Sequence, residues 1–352
     1  MKLRRQRFVS FSKIVVLTVI SLFFILITQS TVRAAQPMVA AGWYHTVGLK
    51  SDGTVVAVGL DSYDRLNVEN WTNITQVAAG GEHTVGLHSD GTVVAVGHND
   101  YGQLNVGDWT DIIQVTAGAS HTVGLKSDGT VVAVGRSYEG QLNVGSWTDI
   151  IQVVADGAHH TVGLKKDGTV VAVGNHDHGQ LEVGSWSDIV QVAVGYHFTV
   201  GLKSDGRVVA VGENDQGQLD VNTFMNMVQV ASGNYHTVGL YFNGKARGTG
   251  RNDECQYCGV GDWNVMQMAA GNSHTVGLQY GGLVVAVGDN TYGQCNVSSW
   301  NLRNRPNIAA GIYHTVGLKI DGTVIGVGDN EYGQLNITVW TNISQVAADY
   351  MH

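Results

Sequence analysis

A Thr-Val-Gly-Leu tetrapeptide recurs eight times in this chain of 352 residues, with its threonine at Thr46, Thr84, Thr122, Thr161, Thr199, Thr237, Thr275 and Thr315, a period of 38 to 40 residues. A fixed period in this range belongs to repeat architectures, in which each unit is a small element that buries its faces only against its neighbours. The anchors are evenly spaced, and no Pro-, Ser- or charge-rich linker separates them, so residues 36–352 read as one domain.

Within the unit, three short apolar runs follow one another. In the third copy these are Val115-Thr116-Ala117-Gly118, then His121 to Lys126, then Thr130 to Gly135. Asp128-Gly129 separates the last two, and Asp-Gly between β-branched runs signals a hairpin, read here as a two-residue turn with positive φ at both positions. The equivalent turns are Asp52-Gly53, Asp90-Gly91, Asp167-Gly168, Asp205-Gly206, Asn243-Gly244, Gly281-Gly282 and Asp321-Gly322. Val and Ala on both faces of the third run place that strand between layers. The unit is therefore a three-stranded antiparallel sheet, with a fourth strand if Leu104-Asn105-Val106 pairs at its edge. The sixth unit, from Tyr241 to Gly250, reads as a weaker strand pair.

No helical period is sustained after residue 35, and 47 glycines with only two prolines suit a turn-rich, all-strand chain. The expected fold is all-β: a single β-propeller of short antiparallel blades, eight by count, with seven-bladed closure as the alternative. An open β-solenoid is the competing geometry, which the unit length and hairpins disfavour. The ends complicate closure, because Val39-Ala40-Ala41 and Val346-Ala347-Ala348 are copies of the same first strand and only one can fill its slot in a ring of eight.

The string G-x-x-H-T-V-G-L-K-S-D-G-T-V-V-A-V-G-x-N-D-Y-G-Q-L-N-V resembles the repeat of the regulator of chromosome condensation family in its compact bacterial form, over residues 38 to 352. The resemblance implies the propeller fold. The family's W-G at the end of the third strand is Val-Gly here, as at Val96-Gly97 and Val134-Gly135, and a tryptophan instead follows the Gly-Gln-Leu loop, at Trp71, Trp109, Trp147, Trp186, Trp263, Trp300 and Trp340. Phe224 takes that place once. We read this as relocation of the bulky core residue. In unit length the chain is also similar to propeller-type β-lactamase inhibitor proteins, which implies enzyme inhibition as a narrower reading.

Residues 1–35 read as a signal peptide: Lys2, Arg4, Arg5, Arg7 and Lys13 precede an apolar run from Ile14 to Ile27, and Val32-Arg33-Ala34 offers a cleavage site. Export to a secreted or cell-surface location follows, with no membrane role beyond it. The first 34 residues carry six of the 20 basic residues and none of the 29 acidic ones, so the remainder has a formal net charge of −15. Such a chain lacks the cationic surface that drives nucleic-acid binding through counterion release, so the chromatin role of the family's namesake is not carried over.

The histidines His45, His83, His121, His160, His236, His274 and His314 hold one repeated position, with Phe198 in the eighth copy. One per blade, they are not expected to converge on a metal, and the reading is that each bonds the Gly-x-x turn before it. Three cysteines, Cys255, Cys258 and Cys295, allow a disulfide within the first pair or between adjacent blades, leaving one free thiol. No catalytic constellation stands out, so no enzyme activity, metal or cofactor is expected.

Divergence between copies points elsewhere. The hairpin end is monotonous, whereas the opposite end varies and carries Trp43, Tyr44, Tyr63, Tyr101, Tyr138, His159, His178, Tyr196, Tyr235, Tyr292, Tyr313 and Tyr332. Rigidly presented aromatic side chains give contact area at low entropic cost, the composition of recognition surfaces. The expectation is a monomer that binds a protein or glycan there. A glycan lyase or hydrolase using the central mouth is the rival class. Tyrosines filling gaps between blades would be the plain structural alternative.

Overall fold

The computed structural model describes residues 39–41, 45–156, 160–302, 307–319, 321–337 and 339–343. The segment read as a signal peptide, Trp43, Tyr44, His159, the Arg303–Pro306 stretch and Val346-Ala347-Ala348 lie outside the described residues.

Eight separate three-stranded antiparallel sheets follow one another along the chain. These are blade 1 (39–59), blade 2 (74–97), blade 3 (112–135), blade 4 (150–174), blade 5 (189–212), blade 6 (227–250), blade 7 (265–288) and blade 8 (307–328). In blade 3 the strands are Ile112–Ala117, His121–Lys126 and Val131–Gly135, with Ala117 opposite Thr122 and His121 opposite Gly135. Leu104-Asn105-Val106 forms a turn, closed by Val106 N–H on the Leu104 carbonyl at 2.8 Å, so the fourth strand is absent. The only helical pieces among the described residues are three short 3-10 turns.

The first strand of each blade lies innermost, because in a ring of radial sheets neighbouring strands approach most closely at the axis. The Gln114 side chain shows this contact: its amide donates to the Val153 carbonyl at 2.9 Å and its oxygen accepts the Val153 N–H at 3.1 Å. Gln76 and Val115, Gln191 and Val230, and Gln229 and Met268 repeat it.

Burial is divided among eight apolar clusters, one at each blade junction. Trp109 explains the missing Trp-Gly: its ring lies on the backbone of Gly124, where a Cβ would stand 2.8 Å from Cζ3. The glycine of Thr-Val-Gly-Leu thus exists to receive the relocated tryptophan, and Trp71 on Gly86 and Trp147 on Gly163 do the same. Blade 6 is a regular sheet rather than a weakened one, with His236 opposite Gly250 and Leu240 opposite Ala246. Its departures compensate one another, since the ring of Tyr257, in the repeat leucine's place, fills the space left where Gly248 replaces alanine.

The same contacts join the last blade to the first. Trp340 lies on Gly48 with 2.7 Å from its Cζ3 to an added Cβ, Val56 and Val58 pack against the cluster around Val316 and Ile337, and Ser51 N–H donates to Asn342 O at 3.0 Å. The ring therefore closes on eight blades, which removes the seven-bladed alternative. The contested slot is shared at this junction: Val39–Ala41 pair with Gly48, Val47 and Thr46, while Ile343 bridges Lys50, the register in which Ile112 meets Lys126.

The hairpins differ from the expected two-residue turn. Gly129 N–H donates to Lys126 O at 3.0 Å and Lys126 N–H to Thr130 O at 2.8 Å, enclosing three residues, and only Gly129 (φ 83°) has positive φ. This is the three-residue loop with a glycine bulge. Asp128 serves it as a cap, its Oδ1 accepting from the N–H and hydroxyl of Thr130. A Cβ on Gly129 would also stand 3.1 Å from Asp149 Cα, at the start of the next blade. Gly129→Val combines a disfavoured φ with that collision, and is expected to cost about 2 kcal/mol or more in urea unfolding. An unchanged midpoint would overturn the assignment.

Candidate functional site: the loop rim

In blades 2, 3 and 5 to 8, two loops meet at the end away from the hairpins. The residue just before the middle strand lies beside the residue just after the outer strand, joined by a backbone hydrogen bond: His98 N–H to Glu82 O, Glu213 N–H to His197 O and Asp289 N–H to Ser273 O, at 2.8 to 2.9 Å. The buried Gln of the Gly-Gln-Leu loop holds the second loop, as Gln103 Oε1 accepts the Tyr101 N–H at 3.1 Å and Gln103 Nε2 pairs with His98 Nδ1 at 2.9 Å. The side chain of that loop then reaches over the next blade.

Aromatic contacts therefore cross the junctions. Tyr63 meets His98 edge-on at 4.6 Å, His98 meets Tyr101 at 6.0 Å and Tyr101 meets Tyr138 at 6.0 Å, a run from blade 1 to blade 3. Tyr196 lies against Tyr235 at 5.8 Å, and Tyr292 against Tyr313 at 5.2 Å. Tyr63, Tyr101, Tyr138, Tyr292 and Tyr332 are exposed, Tyr138 at 75 %, so they do not fill gaps between blades. His178 is exposed too, while Tyr196, Tyr235 and Tyr313 are half-buried. Tyr138 stands one place earlier in its loop than the other tyrosines, since Glu139 donates the N–H that Tyr101 donates in blade 2.

Carboxylates accompany the aromatics. Asp61, Asp64, Asp100, Asp177, Asp215 and Glu331 are exposed on the same loops. Beneath them Arg65, fully buried, takes the repeat glutamine's place and donates to Ser62 O and Gly81 O, with Glu82 at 3.9 Å. An open groove of about 520 Å³ runs beside blade 4, lined by His176, Asp177, His178, Glu182, Val211 and Leu219.

The repeated histidines lie below the rim, fully buried, and their partner is not the preceding turn. His83 Nε2 meets Thr122 Oγ1 of the next blade at 2.9 Å, and His45 meets Thr84, His121 Thr161, His160 Thr199, His236 Thr275 and His274 Thr315 in the same way. His314 to Thr46, at 3.3 Å, completes the belt. The Thr122 hydroxyl already donates its one proton to Gln103 O at 2.8 Å, so His83 must be the donor, protonated at Nε2. The imidazole does pack on the turn, where a Cβ on Gly80 would stand 2.3 Å from His83 Cε1. Bonding to the next blade was illegible because the sequence shows the threonine only as part of the repeat. Burial holds His83, His236 and His274 down at about 3 and His314 at about 4, with Arg65 and His98 adding to the effect at His83.

The disulfide joins Cys255 to Cys258, and Cys295 is a free thiol pushed up to about 12 by burial, then by Asp289. The pairing follows the repeat: a Cβ on Gly102 would touch Asn105 Nδ2 at 2.8 Å, and Cys255 and Cys258 occupy those two places in blade 6.

The hairpin end is less uniform than its turns. A bulge in the inner strand of blades 2 to 7, between Ile112 and Gln114 in blade 3, leaves Ile113, Val190, Val228 and Met266 exposed. Paired apolar residues at the start of that strand were the available signal.

A closed ring of similar three-stranded sheets whose loops vary at one end defines a β-propeller. The chain belongs to the family of the regulator of chromosome condensation (RCC1) repeat, which it matches at residues 39–65, 74–103, 112–141, 150–180, 189–218, 227–256, 265–294 and 307–334. Comparison with curated proteins gives no match. Among solved structures it is similar to the CRINKLY WD40 ectodomain of the Arabidopsis thaliana receptor kinase ACR4, at 20% identity and TM-score 0.55 over 75% of this chain and 98% of that one. The ectodomain of the Physcomitrella patens receptor kinase CR4 follows at 18% and 0.54, covering 72% of each. Human WBSCR16 matches at 18% and 0.53, over 81% of this chain and 87% of that one. At these identities the likeness is one of fold.

Proposed function

We propose that this chain is an exported, non-catalytic binding propeller that docks a protein through its loop rim. The observation that carries the reading is the run of aromatic side chains across successive blades, its tyrosines Tyr63, Tyr101 and Tyr138 exposed, set among exposed carboxylates on a backbone held by buried hydrogen bonds. Such anchors lose little entropy on binding, and the acidic surround favours a partner with a basic face. The receptor-kinase ectodomains among its fold neighbours are compatible with an extracellular place for this architecture.

The test is affinity capture with the purified chain, followed by an alanine scan of both ends against the captured protein. Tyr101→Ala and Tyr138→Ala are each expected to cost about 2 kcal/mol or more if they lie at the patch centre, with rim positions near neutral. Association should slow as salt rises. Loss of binding with Lys126→Ala or Ile113→Ala, and none with Tyr101→Ala, would move the site to the hairpin end. Capture of oligosaccharides in place of protein would favour a glycan ligand. If the partner is a hydrolase, its residual activity in the complex tests the inhibitor reading.

A further inference from the structure

We propose that His178, His197 and Glu213 form a site for one divalent transition-metal ion of the zinc class, at the junction of blades 4 and 5. Their donor atoms lie within 4.8 Å of one another. His178 comes from the loop leaving blade 4, His197 from just before the middle strand of blade 5, and Glu213 from just after its outer strand. Among the described residues, no other group of three or more His, Cys, Asp or Glu side chains comes together in this way.

The backbones beneath the three groups are already fixed. Glu213 N–H donates to His197 O at 2.9 Å, and His178 N–H donates to Oε1 of the fully buried Gln180 at 3.0 Å. Tetrahedral coordination at about 2.0–2.2 Å sets donors about 3.4 Å apart, so closing the site needs only side-chain rotation. His178 is exposed and can make it. Its imidazole now stacks on that of His197, with ring centres 4.5 Å apart and planes inclined at 25°, and a shared ion would turn one nitrogen of each toward the metal.

The donor set selects the metal. Two imidazoles and one carboxylate suit zinc, nickel, cobalt or copper, whereas calcium and magnesium take oxygen shells. Three protein ligands leave a position open for water, or for a donor from a docked partner. The site is separate from the histidine belt, whose rings are fully buried at the junctions, one in each blade but blade 5. No metal was expected from the sequence because its most conspicuous histidines are those of the belt, which are scaffold.

Zinc sulfate and cobalt chloride are titrated into the purified, tag-free protein, with calorimetry, melting temperature and the visible cobalt spectrum as readouts. The expected result is saturable binding of one ion, a rise in melting temperature and four- or five-coordinate cobalt bands. His178→Ala and Glu213→Gln should each weaken binding at least tenfold while leaving the metal-free melting temperature unchanged. His176→Ala, on the same loop, should leave binding intact. Absence of saturable binding, or binding that survives both substitutions because scattered histidines carry it, would overturn the proposal.

Discussion

Acidification from pH 7 to pH 5 is expected to unfold this protein. An unfolded histidine titrates near 6.5, whereas burial holds His83, His236 and His274 at about 3, His314 at about 4, and His45 well below its ordinary value. The native state therefore binds fewer protons than the unfolded state throughout this window. Stability is fully present above pH 6.5, falls as pH drops below it, and stops falling only near the folded values. Each group contributes a slope of about 1.4 kcal/mol per pH unit, and the four held at about 3 to 4 together give about 5 kcal/mol per unit, comparable with the whole stability of many domains, with His45 acting in the same direction. The neutral imidazole is needed because each ring is fully buried, with its one N–H committed to the neighbouring threonine.

Melting temperatures between pH 8 and pH 4 check this, and a flat profile from 7 to 5 would refute it. The chain supplies its own control, since Phe198 fills the histidine place in blade 5 while Thr237 keeps its bond to Gln218 O at 2.9 Å. His83→Phe with His236→Phe should therefore fold at pH 7, and should lower the pH slope by about 3 kcal/mol per unit. An unchanged slope would place the acid sensitivity elsewhere.

Trp340→Ala carries the second large effect. Trp340 is 4% exposed, lies on Gly48 of blade 1 and belongs to the cluster that takes in Val56 and Val58. Emptying such a site costs about 3–5 kcal/mol through lost transfer energy and the cavity left behind. Trp147→Ala, at an interior junction on Gly163, should cost a similar amount. Equal losses in denaturant unfolding are the signature of a closed ring; a silent Trp340→Ala beside a costly Trp147→Ala would mean that the last junction is open in solution. Gly48→Val pushes a side chain into the tryptophan's space and should destabilise alone. Combined with Trp340→Ala it should recover part of the loss, the coupling expected of residues that share one packing space.

The sequence by itself determined what repeats locally. The Thr-Val-Gly-Leu period set the number of units, the apolar runs set three strands in each, and the turn glycines fixed where the chain reverses, because positive φ is a property of the residue and its immediate neighbours. Divergence between copies also marked the exposed tyrosines, since a position free to vary beside an invariant frame lies on a surface. Tertiary structure decided everything that depends on how one blade is rotated against the next. That rotation sets the closure number, brings Thr122 rather than the preceding turn to His83, and lays Trp340 on Gly48. It also gathers His178 from one repeat with His197 and Glu213 from another. No single repeat encodes it, because the angle emerges from packing two half-buried faces together. Even the hairpin depended on it: Gly129 O accepts the N–H of Ile150, the first residue of the following blade, at 3.0 Å, so the turn is completed by a neighbour that its own sequence does not contain.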